Sequence, residues 1–411
     1  MSRWVWIALV SAAAMVVATV RLSPPLAPHL AAPTSLTDAP HAATVPPVRV
    51  RLGESDVWRI RIDGPYQIMR PGDWRILAQG SRLEESDAIA ETDRLRIADR
   101  AFDEDSLELR VVRPGSLWVE DTQYRGDLLL VRADGARLLA VNLVALADYL
   151  ASVVNGEMPA SFPDEARRAQ AIVARTYAVY HMKTAAAGQH YDLRADEGSQ
   201  VYRGTQYVDN AGRRLAAETP DSRRIVVETR GVVATYRGRL FCTFYAAVCG
   251  GHTMRGETVF PAAAPPLVGG PCEYCGDGPN YRWQVDFNWR DTEPKLLRFL
   301  AGSGRRLDSI SGLKTIDRGD GMPAEVEITG EPATRRISTT QMRRRVLGSA
   351  QLPSDRFSVE LDGERLRVQG RGWGHGVGMC QWGARGQAIA GRTCREILEH
   401  YYPGCELVRL R

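Results

Sequence analysis

Between Asp164 and Met182 the chain carries D-E-A-R-R-A-Q-A-I-V-A-R-T-Y-A-V-Y-H-M, a helix-forming run that is polar at its start and then apolar on nearly every side. Helical spacing puts Ala166, Ala169, Gln170, Val173, Tyr177 and Tyr180 on one stripe and Arg175 opposite, among Ala171, Ala174 and Ala178. A helix without a polar face has to be wrapped by other elements. The rest of the fold is therefore expected to close around this segment. Gln170 and Arg175 then become buried polar groups, which cost kilocalories unless they find partners. Those partners are either nearby backbone or the parts of a functional site.

The preceding residues, 48 to about 145, alternate short β-like runs with polar turns: V-R-V-R-L, V-W-R-I-R-I, L-E-L-R-V-V, and L-L-L-V-R turning through A-D-G-A into L-L-A-V-N-L. A helix is predicted over Leu146 to Val154, separated from the central one by a break at Met158-Pro159 and Phe162-Pro163. Strand patterning returns from Ile225, followed by a Gly-, Pro- and Cys-rich excursion from Cys249 to Pro279. Residues 295–302 and 339–347 read as helix, 324–329 and 356–368 as strand, and Thr393 to Tyr401 as a closing helix. Segregated strands and helices without an internal repeat predict an α+β fold. Its expected parts are a β-rich N-terminal region, 48–123, packed on a mixed α+β core, 124–411.

Ahead of this body, Trp4 to Val20 is apolar and flanked by Arg3 and Arg21, so 1–21 reads as an export signal or short membrane anchor. No convincing small-x-small cleavage site follows, which favours an uncleaved anchor. Residues 22–47 are rich in Pro and Ala and read as a linker with a reach of roughly 30 Å. The body is thus expected outside the cytoplasm, in the periplasm or cell envelope, tethered to the membrane or secreted. With 53 basic against 49 acidic residues in 411, the formal charge of +4 gives no electrostatic case for nucleic acid.

Two long constellations carry the chemistry. The first is Y-L-A-S-V-V-N-G-E-M-P-A-S-F-P-D-E-A-R-R-A-Q-A-I-V-A-R-T-Y, from Tyr149 to Tyr177; the second is G-R-G-W-G-H-G-V-G-M-C-Q-W-G-A-R-G, from Gly370 to Gly386, followed by I-L-E-H-Y-Y-P-G. Between them lie G-T-Q-Y and C-G-G-H-T. In this order and at this length they resemble the stage II sporulation protein D family, over roughly Tyr124 to Gly404. The resemblance implies a lytic transglycosylase acting on peptidoglycan glycan strands stripped of stem peptides, with the glutamate of E-M-P, here Glu157, as catalytic acid. One carboxyl suffices for that reaction. It protonates the glycosidic oxygen, then deprotonates the sugar's own 6-hydroxyl, so the second carboxylate of ordinary glycosidases is not obligatory. Acid chemistry near neutral pH needs a raised pKa, for which Met158 and Phe162 would supply desolvation. Gln170 and Arg175 are expected to organise Glu157, with Tyr177 and Gln200 as further substrate contacts.

The glycine-rich loop lacks the G-K-[ST] ending and the dinucleotide spacing of a phosphate cradle. Its glycines would let backbone approach a saccharide, while Trp373, His375, Gln381 and Trp382 line the groove. The alternative makes both tryptophans core and His375 a structurally satisfied histidine. Related sequences described as amidase enhancers keep a second function open, in which the chain binds glycan and activates a separate cell-wall amidase.

Seven cysteines in an exported chain suggest disulfides or a structural metal. The family's best-known zinc ligands precede the Q-x-Y-x-G segment, and here Arg194 and Ser199 stand there. The chain offers instead Cys249-x-x-His252 and Cys272-x-x-Cys275, with Cys380 able to replace His252, a set that fits a structural zinc. Disulfides are the alternative. Cys394 and Cys405 flank the closing helix as a candidate disulfide pair, and Cys242 is a candidate buried thiol. No cofactor is required for the chemistry itself.

Overall fold

The computed structural model describes residues 46–112, 114–260, 263–317 and 323–410. The expected export segment 1–21 and the linker as far as residue 45 lie outside them. Among the described residues no helix is long and apolar enough to cross a membrane.

The alternating runs form two stacked sheets. One has seven strands in the order Leu193–Arg194, Val48–Ser55, Leu138–Val144, Asp127–Arg132, Ser106–Val111, Tyr66–Met69 and Ile76–Gly80. The other has eight, from Arg214–Ala216 through Gln206–Val208, Thr122–Tyr124, Ser116–Val119, Val57–Asp63, Leu83–Ala90 and Leu95–Ile97 to Arg100–Phe102. Period-two alternation turns Ile60, Ile62, Leu117 and Val119 of one sheet toward Leu107, Leu109, Leu128 and Leu130 of the other, and these fill the core between them. Strands on either side of residues 123/124 share both sheets. Val48–Ser55 pairs with Leu138–Val144 and with Leu193–Arg194, and Gln123 faces Gln206. The boundary that patterning placed at 123/124 therefore coincides with no break in the structure.

The other side of the seven-stranded sheet supports three helices: α1 (Leu146–Glu157), α2 (Asp164–Thr184) and α3 (Pro220–Glu228). Val48, Val50 and Val144 pack there against Tyr149, Leu150, Val153, Ala171, Ala174 and Ile225. The prediction of a wrapped helix holds, since every residue of α2 from Ala169 to Val179 is buried. Its remaining face, with Ala166, Ala169, Ile172 and Val173, enters a second core shared with the cysteine-bearing loops near the chain's end.

Residues 282–371 form a module with a core of their own, including Leu296, Leu300, Val326, Ile328, Phe357, Leu366 and Val368. It contains helix α4 (Trp289–Gly302) and two three-stranded sheets. Arg282–Asn288 pairs antiparallel with Arg365–Arg371, so the chain leaves and re-enters through one neck. Trp283 Nε1 donates to the Gly372 carbonyl at 3.1 Å and ties that neck to the glycine-rich loop. Two closing helices follow, α5 (Gln381–Ile389) and α6 (Cys394–Tyr401).

Candidate active site

Glu157 is the last residue of α1, three residues beyond the end that patterning gave the helix. Met158 caps the turn by donating its N–H to the Val154 carbonyl at 3.1 Å, and Pro159 cannot continue the helix. A carboxylate here sits at the negative end of the helix dipole, which favours its protonated form. Gly156 matters for what approaches: a Cβ there would stand 2.9 Å from the Val201 carbonyl oxygen, so only glycine lets that backbone come in. Val201 N–H donates to Glu157 Oε1 at 2.7 Å, Gln381 Nε2 donates to Oε2 at 3.2 Å, and the Tyr245 hydroxyl makes a third hydrogen bond. None of these donors is a cation. Burial pushes the Glu157 pKa above the ordinary carboxylate range, and the three donors pull against it without cancelling it; the charge of exposed Glu197 adds to the rise.

A hydrogen-bonded chain backs this carboxyl. The Tyr149 hydroxyl donates to Gln200 Oε1 at 3.0 Å, and Gln200 Nε2 donates to the Tyr245 hydroxyl at 3.2 Å. Tyr245 is then free to donate onward to Glu157. Gln381 Nε2 also reaches Gln170 Oε1 at 3.4 Å, while Gln170 Nε2 has no partner among the described residues. The structure thus brings together Glu157, Gln170, Gln200 and Gln381. Tyr177 is buried behind them, hydrogen-bonded to Ser199 with its ring centroid 4.3 Å from that of His181.

Arg175 is not part of this group, which corrects the expectation that it organises Glu157. It lies five positions past Gln170, on the far side of α2, as helical spacing requires. Its guanidinium donates to the Val232 and Val226 carbonyls at 3.1 and 3.3 Å and to Thr229 Oγ1 at 3.3 Å. These acceptors close the C-terminal end of α3, where a cation is favourable. Burial, with the like charge of Arg409 adding to it, pulls the Arg175 pKa down to about 10. Arg175→Met, which strands these acceptors, is expected to cost about 1–3 kcal/mol in chemical denaturation while leaving the activity of the folded fraction unchanged.

The glycine-rich loop owes its composition to backbone geometry. Gly372, Gly374, Gly376 and Gly378 all have positive φ, so every second residue adopts a conformation that side chains resist. Trp373 exchanges backbone hydrogen bonds with Val248, and Met379–Cys380 pairs in parallel with Tyr245–Ala246. Both tryptophans are half-buried against the second core. Trp382 stands edge-on to Phe162 with centroids 5.3 Å apart, and the Arg385 guanidinium lies 5.1 Å from its ring. His375 Nδ1 accepts from Val377 N–H at 3.1 Å, its ring is edge-on to Phe244 and Phe260, and it bonds the Tyr245 backbone. Burial drives its pKa down to about 4, so it stays neutral and fixes Tyr245 in place. Of the four loop residues expected to line the groove, Gln381 reaches the carboxyl directly and His375 acts behind it. Sequence reasoning misses Tyr245, Tyr149 and the Val201 N–H: a tyrosine in a strand or helix pattern reads as core, and a backbone donor has no sequence signature.

Cys249, Cys272, Cys275 and Cys380 bring their Sγ atoms within 4.8 Å of one another, all buried. His252 is not among them. It sits on the short strand His252–Thr253, and its Nδ1 bonds the Thr253 carbonyl at 2.7 Å. Cys394 opens α6 and Cys405 follows its far end, and no disulfide joins this candidate pair in the structure. Cys242 is buried as expected. Where the resemblance calls for zinc ligands, Arg194 pairs with Asp196 at 2.8 Å and its N–H donates to Ser199 Oγ at 3.1 Å.

Residues 134–236, which hold α1, the Glu157 turn, α2 and the Gln200 segment, match the family described as stage II sporulation protein. The chain is 31% identical over 286 residues to an uncharacterised protein of Brachyspira hyodysenteriae, covering 70% of this chain and 72% of that one. It is 28% identical over 283 residues to the stage II sporulation protein D of Bacillus subtilis, covering 65% and 76%. The chain belongs to the stage II sporulation protein D family. A further relative, the amidase enhancer of Bacillus subtilis, is 26% identical over 302 residues, 63% of this chain but 40% of that longer protein. Residues 276–378, spanning the separate module, match a domain of unknown function (DUF8618).

Proposed function

We propose that this family member is a peptidoglycan lytic transglycosylase in which Glu157 serves first as acid and then as base. The observation that carries this reading is a single recessed carboxyl with a raised pKa, held by uncharged donors. Protonated Glu157 gives its proton to the glycosidic oxygen as that oxygen's bond to the sugar C1 breaks. The resulting carboxylate, steadied by Val201, Gln381 and Tyr245, takes the proton of the muramyl 6-hydroxyl as its oxygen bonds C1. The product is an anhydro-muramyl end, Glu157 regains its proton, and no water is consumed. Half-buried Trp382, backed edge-on by buried Phe162, offers an apolar edge for a sugar face. The expected substrate is glycan stripped of stem peptides, met on the outer face of the cytoplasmic membrane.

The similarity to a protein named amidase enhancer favours a second reading, a glycan-binding activator of a cell-wall amidase. The purified full chain, incubated with intact and peptide-stripped glycan, separates the two by mass spectrometry of products. Anhydro-muramyl ends from the protein alone support the enzyme; binding without cleavage, together with a stimulated amidase, supports the enhancer. Glu197 provides an internal control, since it is an exposed carboxylate near enough to raise the Glu157 pKa. Under the single-carboxyl mechanism Glu197→Gln keeps cleavage within a few-fold of wild type. Its loss, with reducing muramyl ends in the wild-type product, would indicate a two-carboxylate hydrolase instead.

A further inference from the structure

We propose that Cys249, Cys272, Cys275 and Cys380 bind one zinc-class divalent cation in a closed four-thiolate site that fastens the glycine-rich loop, and with it Gln381, beside Glu157. The functional consequence rests on the reading of Glu157 given above; the metal site does not.

The four sulfurs come from three separate stretches of chain, and each cysteine is at most 1% exposed. A tetrahedral zinc with Zn–S bonds of about 2.3 Å places its sulfurs about 3.8 Å apart. Here all lie within 4.8 Å, and Cys249 and Cys275 are 3.6 Å apart, so a small inward movement completes the tetrahedron. The surroundings are built for thiolates. Cys249 N–H and Gly383 N–H donate to Cys380 Sγ at 3.2 and 3.3 Å, and the Tyr401 hydroxyl lies 3.2 Å from Cys272 Sγ. A neutral thiol is a weak acceptor that does not call for such donors, whereas a metal-bound thiolate is oriented and stabilised by them. Cys380 also caps the N-terminus of the nine-residue helix α5, where the positive end of the dipole favours the ionised sulfur. A side chain at Gly383 would collide with Tyr401 and with Cys272 Sγ, so glycine keeps this space open. Four protein ligands leave no open position, which makes the site structural.

The link to the glycan site is short. Gln381 follows Cys380 directly and donates to Glu157, while the strand holding Cys380 pairs with Tyr245–Ala246. Losing the metal would release two of the three donors on that carboxyl.

The test starts with the full chain purified without chelator. Elemental analysis is expected to find one zinc per chain. Exchange into cobalt should give the intense visible bands of a tetrahedral site with thiolate charge transfer in the near ultraviolet. Cys380→Ser is expected to weaken metal binding by at least about tenfold, and His252→Ala to leave stoichiometry and spectrum unchanged. Wild-type protein that holds no metal and takes up no cobalt, or recovery of these four cysteines as disulfides by thiol mapping, overturns the proposal. Loss of the metal in His252→Ala overturns the ligand set. If Cys380→Ser does not fold, the wild-type cobalt spectrum still decides. Glu157→Gln is expected to retain full metal, so failure of the catalytic reading and failure of this one register in different measurements.

Discussion

Glu157→Gln is expected to reduce release of anhydro-muramyl ends by about 10²- to 10⁴-fold, the range for removing a general acid–base group. It should do so without loss of fold, because the amide can still accept from Val201 N–H while the Gln381 side chain turns over to meet its NH₂. The same substitution should raise stability in a pH-dependent way. The folded protein holds the Glu157 proton more tightly than the unfolded chain, so the wild type loses stability as pH rises from the ordinary carboxylate range through the raised folded value. The glutamine has no proton to lose. Its melting temperature should therefore match or slightly trail wild type in acid and exceed it at pH 8. A variant that is inactive and equally destabilised at every pH would mark Glu157 as a packing residue. Full activity in the variant would remove it from the mechanism altogether.

How far the site could be read from sequence follows from which residues depend on local pattern and which on distant contacts. The burial of α2 was legible because no polar face was available to meet water, and the E-M-P turn because proline ends α1 within two residues of Glu157. Arg175 lies away from the carboxyl for a reason the same helix contains. Burial demands a partner for a guanidinium but does not say which, and here three acceptors around the end of α3 satisfy the demand without a carboxylate. Gln170 faces the same demand on the opposite side of the helix, and its Oε1 does reach the site. The module at 282–371 is a different kind of omission. Its strands and helix have ordinary patterns, but the neck pairing of Arg282–Asn288 with Arg365–Arg371 spans most of its length and leaves no local mark. Choosing Cys380 over His252 likewise required the fold, since spacing alone admits either ligand.

Tyr245→Phe should act on the acid limb of the reaction rather than on substrate binding. The step that breaks the glycosidic bond needs Glu157 protonated, so kcat/KM is expected to hold below the raised pKa and fall as pH rises through it. Burial sets that pKa high, and the Tyr245 hydroxyl is one of the groups holding it down. Removing the hydroxyl should therefore move the descending limb to higher pH. It should also lower the plateau, because a less stabilised carboxylate is a poorer product of the first proton transfer; a hydrogen bond to a charged group is worth about 1.5–3 kcal/mol, or about 10- to 160-fold. The phenylalanine keeps the ring, so packing around Gln200 loses only one acceptor. Gln381→Leu should shift the limb in the same direction, since it removes the donor to Oε2. A tyrosine that merely touched sugar would raise KM and leave the limb where it was. The pH profile therefore distinguishes a group that acts through Glu157 from one that acts on the glycan.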